Sequence, residues 1–187
     1  MEQVMVIGLD FAKNVFQIHG ADSKGHIQRM RVRLTDLERC ISELDAEIDE
    51  HIRQDDACNR LLEVPGIGRL TASALVASVG SALAFKSGRQ LSAWLGLVPR
   101  QHSSGGKTVL RGISKRGDAY LRRMLIHGAR AVLRHLGKRQ TVISTWLQAL
   151  SARANRNVVI VAMANKLARI AWALLSKGQR YSEPAVG

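Results

Sequence analysis

The stretch Gly96-Leu97-Val98-Pro99-Arg100-Gln101-His102-Ser103-Ser104-Gly105-Gly106-Lys107 places two hydroxyls between glycines and beside basic side chains. Small residues let a backbone approach a ligand closely, and Arg100, Lys107 and Arg111 could hold an anionic substrate there. If the chain does chemistry, Ser104 is the residue to centre it on. The same Ser-Ser-Gly-Gly composition also fits an ordinary surface turn. His102 could be taken for a general base, but neighbours in sequence seldom share the geometry that proton transfer needs. The second chemical candidate is Asp10, at the end of an apolar run, where nuclease folds often hold a divalent cation. One carboxylate is not a metal site, and His19 and Asp22 are weak local additions to it.

These residues sit in a chain of strongly uneven charge. Its 187 residues are 46% apolar, enough for a real core, with a formal net charge of +13. Through Phe85 there are 9 Lys+Arg and 13 Asp+Glu, a balance of −4; from Lys86 onward 19 Lys+Arg face only Asp118 and Glu183, a balance of +17. A polycation around an apolar core suits a phosphate polymer, because each neutralised phosphate releases condensed counterions. Ribosomal association, nonspecific RNA binding and an anionic membrane surface compete with DNA on charge alone. The two cysteines, Cys40 and Cys58, are too far apart for a CxxC motif and too few for a disulfide framework, which points to a reducing compartment. The N-terminus lacks a signal-peptide pattern and no run reaches the ~18 apolar residues of a membrane span, so a cytoplasmic, nucleoid-associated protein is expected.

Alternation of apolar residues over 4–10, 15–19 and 27–34 reads as three short strands, with turns at 13–14 and 22–25 making an antiparallel meander. Thr35-Asp36-Leu37-Glu38 has the pattern of a capping box. After it Leu37, Ile41, Leu44, Ile48 and Ile52 recur at spacings of 4, 3, 4 and 4, a long helix whose seam suits a helical hairpin or a coiled coil with another chain. Helix, Val64-Pro65-Gly66-Ile67-Gly68, helix looks like a helix-hairpin-helix. In that motif glycines admit DNA and the amides of the second helix, beside Arg69, face a phosphate. An αα-hairpin that merely packs fits the same residues. A short helix follows, closed by Gly96, then an extended piece over 108–114, a basic helix from Lys115 to Leu136, and helices over 141–152 and 158–175, the last nearly apolar and central to a bundle. Lys115, Arg116, Arg122, Arg123 and the pair Lys138-Arg139 are candidates for phosphate contact. Asp118 either caps its helix or pairs with Arg122. Trp94, Trp146 and Trp172 are expected in the core, because 4% aromatics gives no stacking platform.

Several of these motifs resemble one family. Val6-Ile7-Gly8-Leu9-Asp10-Phe11-Ala12-Lys13 is similar to the opening strand of the RuvC-like, ribonuclease-H-type domain of insertion sequence 110 transposases, relatives of the Piv invertases. The likeness continues through Leu62 to Gly68, Gly96 to Arg100, Ser103 to Lys107, Ile113-Ser114-Lys115-Arg116-Gly117-Asp118 and Ala164-Asn165-Lys166-Leu167-Ala168-Arg169. It implies a DNA recombinase in which an Asp-Glu-Asp-Asp tetrad holds Mg2+ and a serine of the C-terminal domain attacks the DNA phosphate. Ser104 matches that serine and Asp10 the first tetrad carboxylate. Some members are guided by a structured RNA. The segments that should bring the other three carboxylates have no counterpart here, and Glu38, Glu43 and Asp45 match no family motif.

The expectation is therefore an α+β chain. Residues 1–34 are a three-stranded antiparallel remnant of a ribonuclease-H-like sheet, 35–54 a coiled-coil-like helix, 55–180 an all-α transposase domain with a helix-hairpin-helix, and 181–187 a tail. The expected function is that of an internally deleted or degenerate transposase, catalytic through Ser104 and Asp10 in its ancestral chemistry. DNA contact falls to Pro65, Gly66, Ile67, Gly68, Arg69, Arg100, Lys107, Arg111, Lys115, Arg116, Arg122 and Arg123, and the metal to Asp10. Partners would be DNA, a guide RNA, and a second copy or a full-length relative paired through the helical seam, with no membrane. The alternative is a non-catalytic DNA- or RNA-binding regulator of such a relative, and a basic structural protein of ribosome or nucleoid is a third reading.

Overall fold

Apolar residues at Ile27, Met30, Leu34, Leu37, Ile41, Leu44, Ile48 and Ile52 recur at intervals of three and four without a break. In the computed structural model this whole run is one helix, α1 (His26–Gln54). The structure describes the backbone of residues 8–12, 15–19, 26–104, 107–136 and 141–182, and the side chains of 30–101, 111–136 and 141–182. Ahead of α1, β1 (Gly8–Ala12) and β2 (Val15–His19) pair antiparallel, with Asp10 opposite Gln17. The expected three-stranded meander is thus corrected to two strands, because residues 27–34 carry the upstream part of the helical seam. Thr35 is not a cap; its Oγ1 donates to the Arg31 carbonyl at 3.1 Å, one turn back inside the helix.

After α1 come α2 (Asp56–Leu62), α3 (Arg69–Val79), α4 (Gly88–Trp94), β3 (Pro99–Ser104), β4 (Lys107–Ile113), α5 (Ala119–Arg134), α6 (Val142–Ser151) and α7 (Arg156–Lys177). The described residues are mostly helical, with two separate two-stranded ladders and no larger sheet. That overturns the α+β reading with a ribonuclease-H-like sheet remnant. It also overturns the all-α expectation for the C-terminal part, since β3 and β4 form a hairpin there. The chain divides within α1 into Met1–Glu47 and Ile48–Gly187.

In the second unit the helix starts follow from local chemistry. Asp55 accepts from the Cys58 amide at 3.0 Å, Ser87 from Gln90 at 3.4 Å, Asp118 from Leu121 at 2.9 Å and Asn155 from Asn157 at 2.9 Å. Thr141 and Ser144 form a reciprocal capping box, at 3.1 and 2.7 Å. Only α3 begins without a side-chain cap, at Gly68. The core gathers on α7, which packs against α2, α4, α5 and α6 and buries residues including Met163, Ala164, Leu167, Ala168 and Ala171. Contrary to the expectation that no segment qualifies, α7 is long and apolar enough to cross a bilayer, with mean hydropathy 1.7; half of that window is buried inside the fold. Its small residues serve close helix packing.

The α2–α3 connection meets α5 backbone to backbone. A Cβ on Gly128 of α5 would overlap the Gly66 carbonyl, and one on Gly66 would lie 2.7 Å from Val132 Cγ2 and 2.9 Å from the Gly128 carbonyl oxygen. Gly66, at φ +94, therefore serves a helix crossing.

Cys58 lies on the buried face of α2, and burial, reinforced by the nearby Asp55 carboxylate, pushes its thiol up from 9.0 to about 11. The unfolded chain loses this proton before the folded one does. The thiol's contribution to stability is therefore complete below about pH 9 and is lost as pH rises through about 11. Urea titrations between pH 8 and 11 should show an extra alkaline loss of about 2 kcal/mol that Cys58→Ala abolishes.

Candidate nucleic-acid interface

The Ser104 segment is a strand, and its neighbours explain why. Ser104 pairs with Lys107 and Ser103 with Thr108, so the connection is Gly105-Gly106 alone, which lies outside the described residues. Toward the base the register runs from Gln101 opposite Leu110 to Pro99 opposite Ile113, so Arg111 and Gly112 together face Arg100. That is a β-bulge, which kinks the strand and increases its twist. It brings Arg100 and Arg111, both exposed, to the same level of the ladder. Arg111 and Gly112 thus interrupt the extended piece expected over 108–114.

The base of the hairpin is clamped between the end of α4 and the start of α5. Gly96, at φ +71, closes α4: its amide donates to Ala93 at 2.9 Å and that of Leu97 to Ser92 at 3.0 Å. The chain leaving β4 returns beside it, with the Ser114 amide on the Val98 carbonyl at 2.9 Å and Lys115 on Gly96 at 3.2 Å. A Cβ on Gly96 would overlap the Arg116 carbonyl, and one on Gly117 (φ +80) the Trp94 carbonyl. Arg122 Nη1 then donates to the carbonyls of Leu95 at 3.0 Å, Arg116 at 3.2 Å and Asp118 at 3.5 Å.

The remaining sequence-predicted residues fall into three groups. Ile67 is buried in the core and Gly66 is packed on α5, whereas Pro65, Gly68 and Arg69 are exposed. Arg69 Nη1 donates to the Asp49 carboxylate of α1. Lys115, Arg116 and Arg123 are exposed; Lys115 has a left-handed backbone at φ 56, so α5 starts at Ala119 rather than at Lys115. Asp118 caps that start, resolving the choice between cap and ion pair. The side chains of Asp10, His102, Ser104 and Lys107, and all of Asp22, Lys138 and Arg139, lie outside the described residues. Asp10 belongs to the first unit and Ser104 to the second. Among the described residues no three of His, Cys, Asp or Glu gather as metal ligands.

Sequence reading missed a cleft of about 1020 Å³ between α4, α6 and α7, with Arg89, Lys166 and Arg169 around it. Lys166 Nζ lies 4.5 Å from the centre of the Trp146 ring, and the Asn165 amide donates to the Leu97 carbonyl at 3.4 Å. The signal was present at 165–169, two cations spaced three apart on a helix, but apolar neighbours masked it. Of the three tryptophans expected in the core, Trp146 and Trp172 are half-buried against its edge and Trp94 is 39% exposed.

Residues 58–144, which include the hairpin, its clamp and the α2–α3 turn, match the family model described as Transposase IS116/IS110/IS902 family. The chain belongs to this family. It is 53% identical over 155 residues to a Pseudomonas aeruginosa protein named "Probable family 20 transposase", covering 83% of this chain and 46% of that protein. Against the transposase for insertion sequence element IS1111A of Coxiella burnetii it is 48% identical, covering 79% and 41%. Against that for IS1328 of Yersinia enterocolitica the identity is 43%, covering 76% and 43%. The chain thus spans less than half the length of these relatives.

Replacing Arg122 by Ala should cost about 1–3 kcal/mol in urea unfolding, since carbonyls would be left without a donor. Trypsin should then cut sooner at Arg100, Lys107 and Arg111. Gly117→Ala should give the same proteolytic pattern.

Proposed function

We propose that this chain is the DNA-gripping part of a transposase and that β3–β4 presents Ser104 to a DNA phosphodiester. The observation that carries the reading is the clamped hairpin, with the family's serine at its last paired position and Arg100 and Arg111 exposed at its bulge. In the proposed reaction the serine oxygen bonds to phosphorus as the bond to one strand's oxygen breaks. The serine proton passes to a base and the departing oxygen takes up a proton. A serine hydroxyl is weak near neutral pH, so the donors around the phosphate decide the rate. Gly68, uncapped and open at the start of α3, supports a second phosphate contact through backbone amides. The described residues do not by themselves fit Mg2+, which takes several oxygen donors. Asp10 enters only as one donor to a site completed from elsewhere, and no step is routed through the ion. In this reading the chain binds but does not recombine DNA alone, and a structured RNA is a second polyanion for the same basic surface.

The test is a filter-binding and strand-transfer assay with supercoiled DNA carrying element ends, with magnesium present. Binding at least tenfold tighter than to random duplex, without strand transfer, is expected. Equal affinity for both DNAs overturns the reading as a transposase part. Strand transfer by this chain alone, lost in Ser104→Ala and Asp10→Ala, overturns the claim that its chemistry is incomplete.

A second reading, a regulator that pairs with a full-length relative, rests on α1. Leu37, Ile41 and Leu44 are 60%, 54% and 57% exposed along one seam, an apolar stripe of the kind that pairs helices. Light scattering of the chain mixed with a full-length relative should show a mixed oligomer that Ile41→Asp with Leu44→Lys abolishes; no mixed oligomer at tens of micromolar rules the pairing out.

A further inference from the structure

The inference rests on the DNA-gripping reading and assigns it a contact surface outside the hairpin and the α2–α3 turn. Along α5, His127, Arg130 and Arg134 follow at intervals of three and four, the spacing of one helix face. The opposite face, with Leu121, Leu125 and Ala129, is buried. Beside the exposed stripe lies the first turn of α7, carrying Arg156 and Asn157, and between the two helices is a cleft of about 550 Å³ floored by Ile160. Ile160 is 5% exposed, so the floor is part of the core and rigid. All five polar side chains are exposed.

The cleft is a concentration of positive charge that the fold does not use. No carboxylate lines it. Between Lys86 and Ser182 the sole acidic residue is Asp118, already committed to capping α5. Among the described residues, Arg130, Arg134 and Arg156 have no ion-pair or side-chain hydrogen-bond partner, whereas Arg39, Arg53, Arg60 and Arg180 each pair with a carboxylate. Like charges at i,i+4, as in Arg130 and Arg134, weaken a helix by a few tenths of a kcal/mol. Three guanidiniums across two packed helices are therefore a small cost to stability, which a bound polyanion would reverse. Guanidinium forks match the geometry of phosphate oxygens, and the start of α7 adds the positive end of its dipole.

We propose that this α5–α7 cleft is a clamp for the phosphodiester backbone of a nucleic acid, held by Arg130, Arg134 and Arg156 with His127 and Asn157 as hydrogen-bonding flanks. It contacts no base edges and fixes position without reading sequence. At 1.5 Å per residue the stripe lies about 8–18 Å along α5 from Arg122, so a strand crossing the base of the hairpin reaches it within a few nucleotides. Duplex DNA and structured RNA offer the same phosphodiester chemistry.

The experiment measures affinity for a DNA duplex and for an RNA hairpin by fluorescence anisotropy across a potassium chloride series. It compares the native chain with Arg130→Gln/Arg134→Gln/Arg156→Gln and with Arg39→Gln/Arg53→Gln/Arg180→Gln, a control with the same loss of net charge taken from paired arginines. The cleft variant should weaken binding at least tenfold at about 150 mM salt and flatten the slope of log affinity against log salt by about 2–3, one unit per lost phosphate contact. The control should change affinity less than twofold. A triple arginine-to-lysine variant of the cleft should retain most of the slope, which separates lost contacts from misfolding. A loss confined to one arm names the nucleic acid that the clamp holds. Equal losses in the two glutamine variants, or none in the cleft variant, overturn the clamp while leaving the DNA reading intact. A native chain that binds neither probe overturns both.

Discussion

A single guanidinium ties together the two chain segments on which the hairpin stands. The end of α4 and the start of α5 come within touching distance, and both bring carbonyl oxygens to the meeting point. Arg122 supplies donors to Leu95, Arg116 and Asp118 from one planar group. Carbonyls crowded together without a donor would each forgo a hydrogen bond and repel one another. The approach itself requires Gly96 and Gly117, since a side-chain carbon on either would occupy the place of a facing carbonyl. The position of Ser104 is therefore fixed from its base, by backbone geometry and one arginine. Strand pairing then carries that position out to the tip.

This arrangement changes how the basic residues divide. From the sequence, Arg122 and Arg123 are equivalent members of a cationic helix. In the fold Arg122 turns inward onto carbonyls and Arg123 remains exposed. Arg69 pairs with Asp49, while Arg130, Arg134 and Arg156 converge on a cleft without a counter-charge. Helical spacing tells which arginines share a face, and on α5 it would have joined 127, 130 and 134. It does not tell which other helix supplies the second wall, because residues 130 and 156 are brought together only by the packing of α5 on α7.

The parts legible in the sequence were those decided within a few residues. Gly96 as a helix terminator, α7 as the apolar centre of the helical part, and Asp118 as either a cap or a partner of Arg122 all follow from local chemistry or composition. The misreadings came where a local signal had two uses. Thr35-Asp36-Leu37-Glu38 has the residues of a capping box, yet the apolar rhythm upstream from Ile27 continues the same helix through it. Three and four alternate there as regularly as downstream, and that longer pattern outweighs the four-residue motif. Pro99 to Ser104 looked like loop because its pairing partner lies beyond a Gly-Gly connection, and a strand made mostly of polar residues has little pattern of its own. Gly66 shows a third kind of ambiguity. A glycine says that something comes close, and here it is the backbone of α5 at Gly128, which the sequence could not have named.

The separation of charge and core gives the second unit its character. Its stability derives from α7, from the side-chain caps and from glycine-mediated crossings, and among the excess cations Arg122 and Lys166 are drawn into contacts within the fold. From Lys86 onward nineteen Lys+Arg face only Asp118 and Glu183, so most of them have no carboxylate within their own half to pair with. Exposed charges in water repel one another weakly at ordinary salt, and the fold tolerates them without requiring them. Exposed cations that take no part in folding are free to be arranged for a partner, and a polyanion is the partner for which such a surface gains most, through released counterions. The same imbalance bears on the proposed chemistry at Ser104. Asp118, one of the two carboxylates in this half, accepts from the amide of Leu121, so in the proposed chemistry the oxygen donors for a hard cation near Ser104 would come from elsewhere. In the proposed reading the grip on the nucleic acid and the acidic part of a metal site are thus carried by different stretches of chain, and chemistry at Ser104 would require them to be brought together.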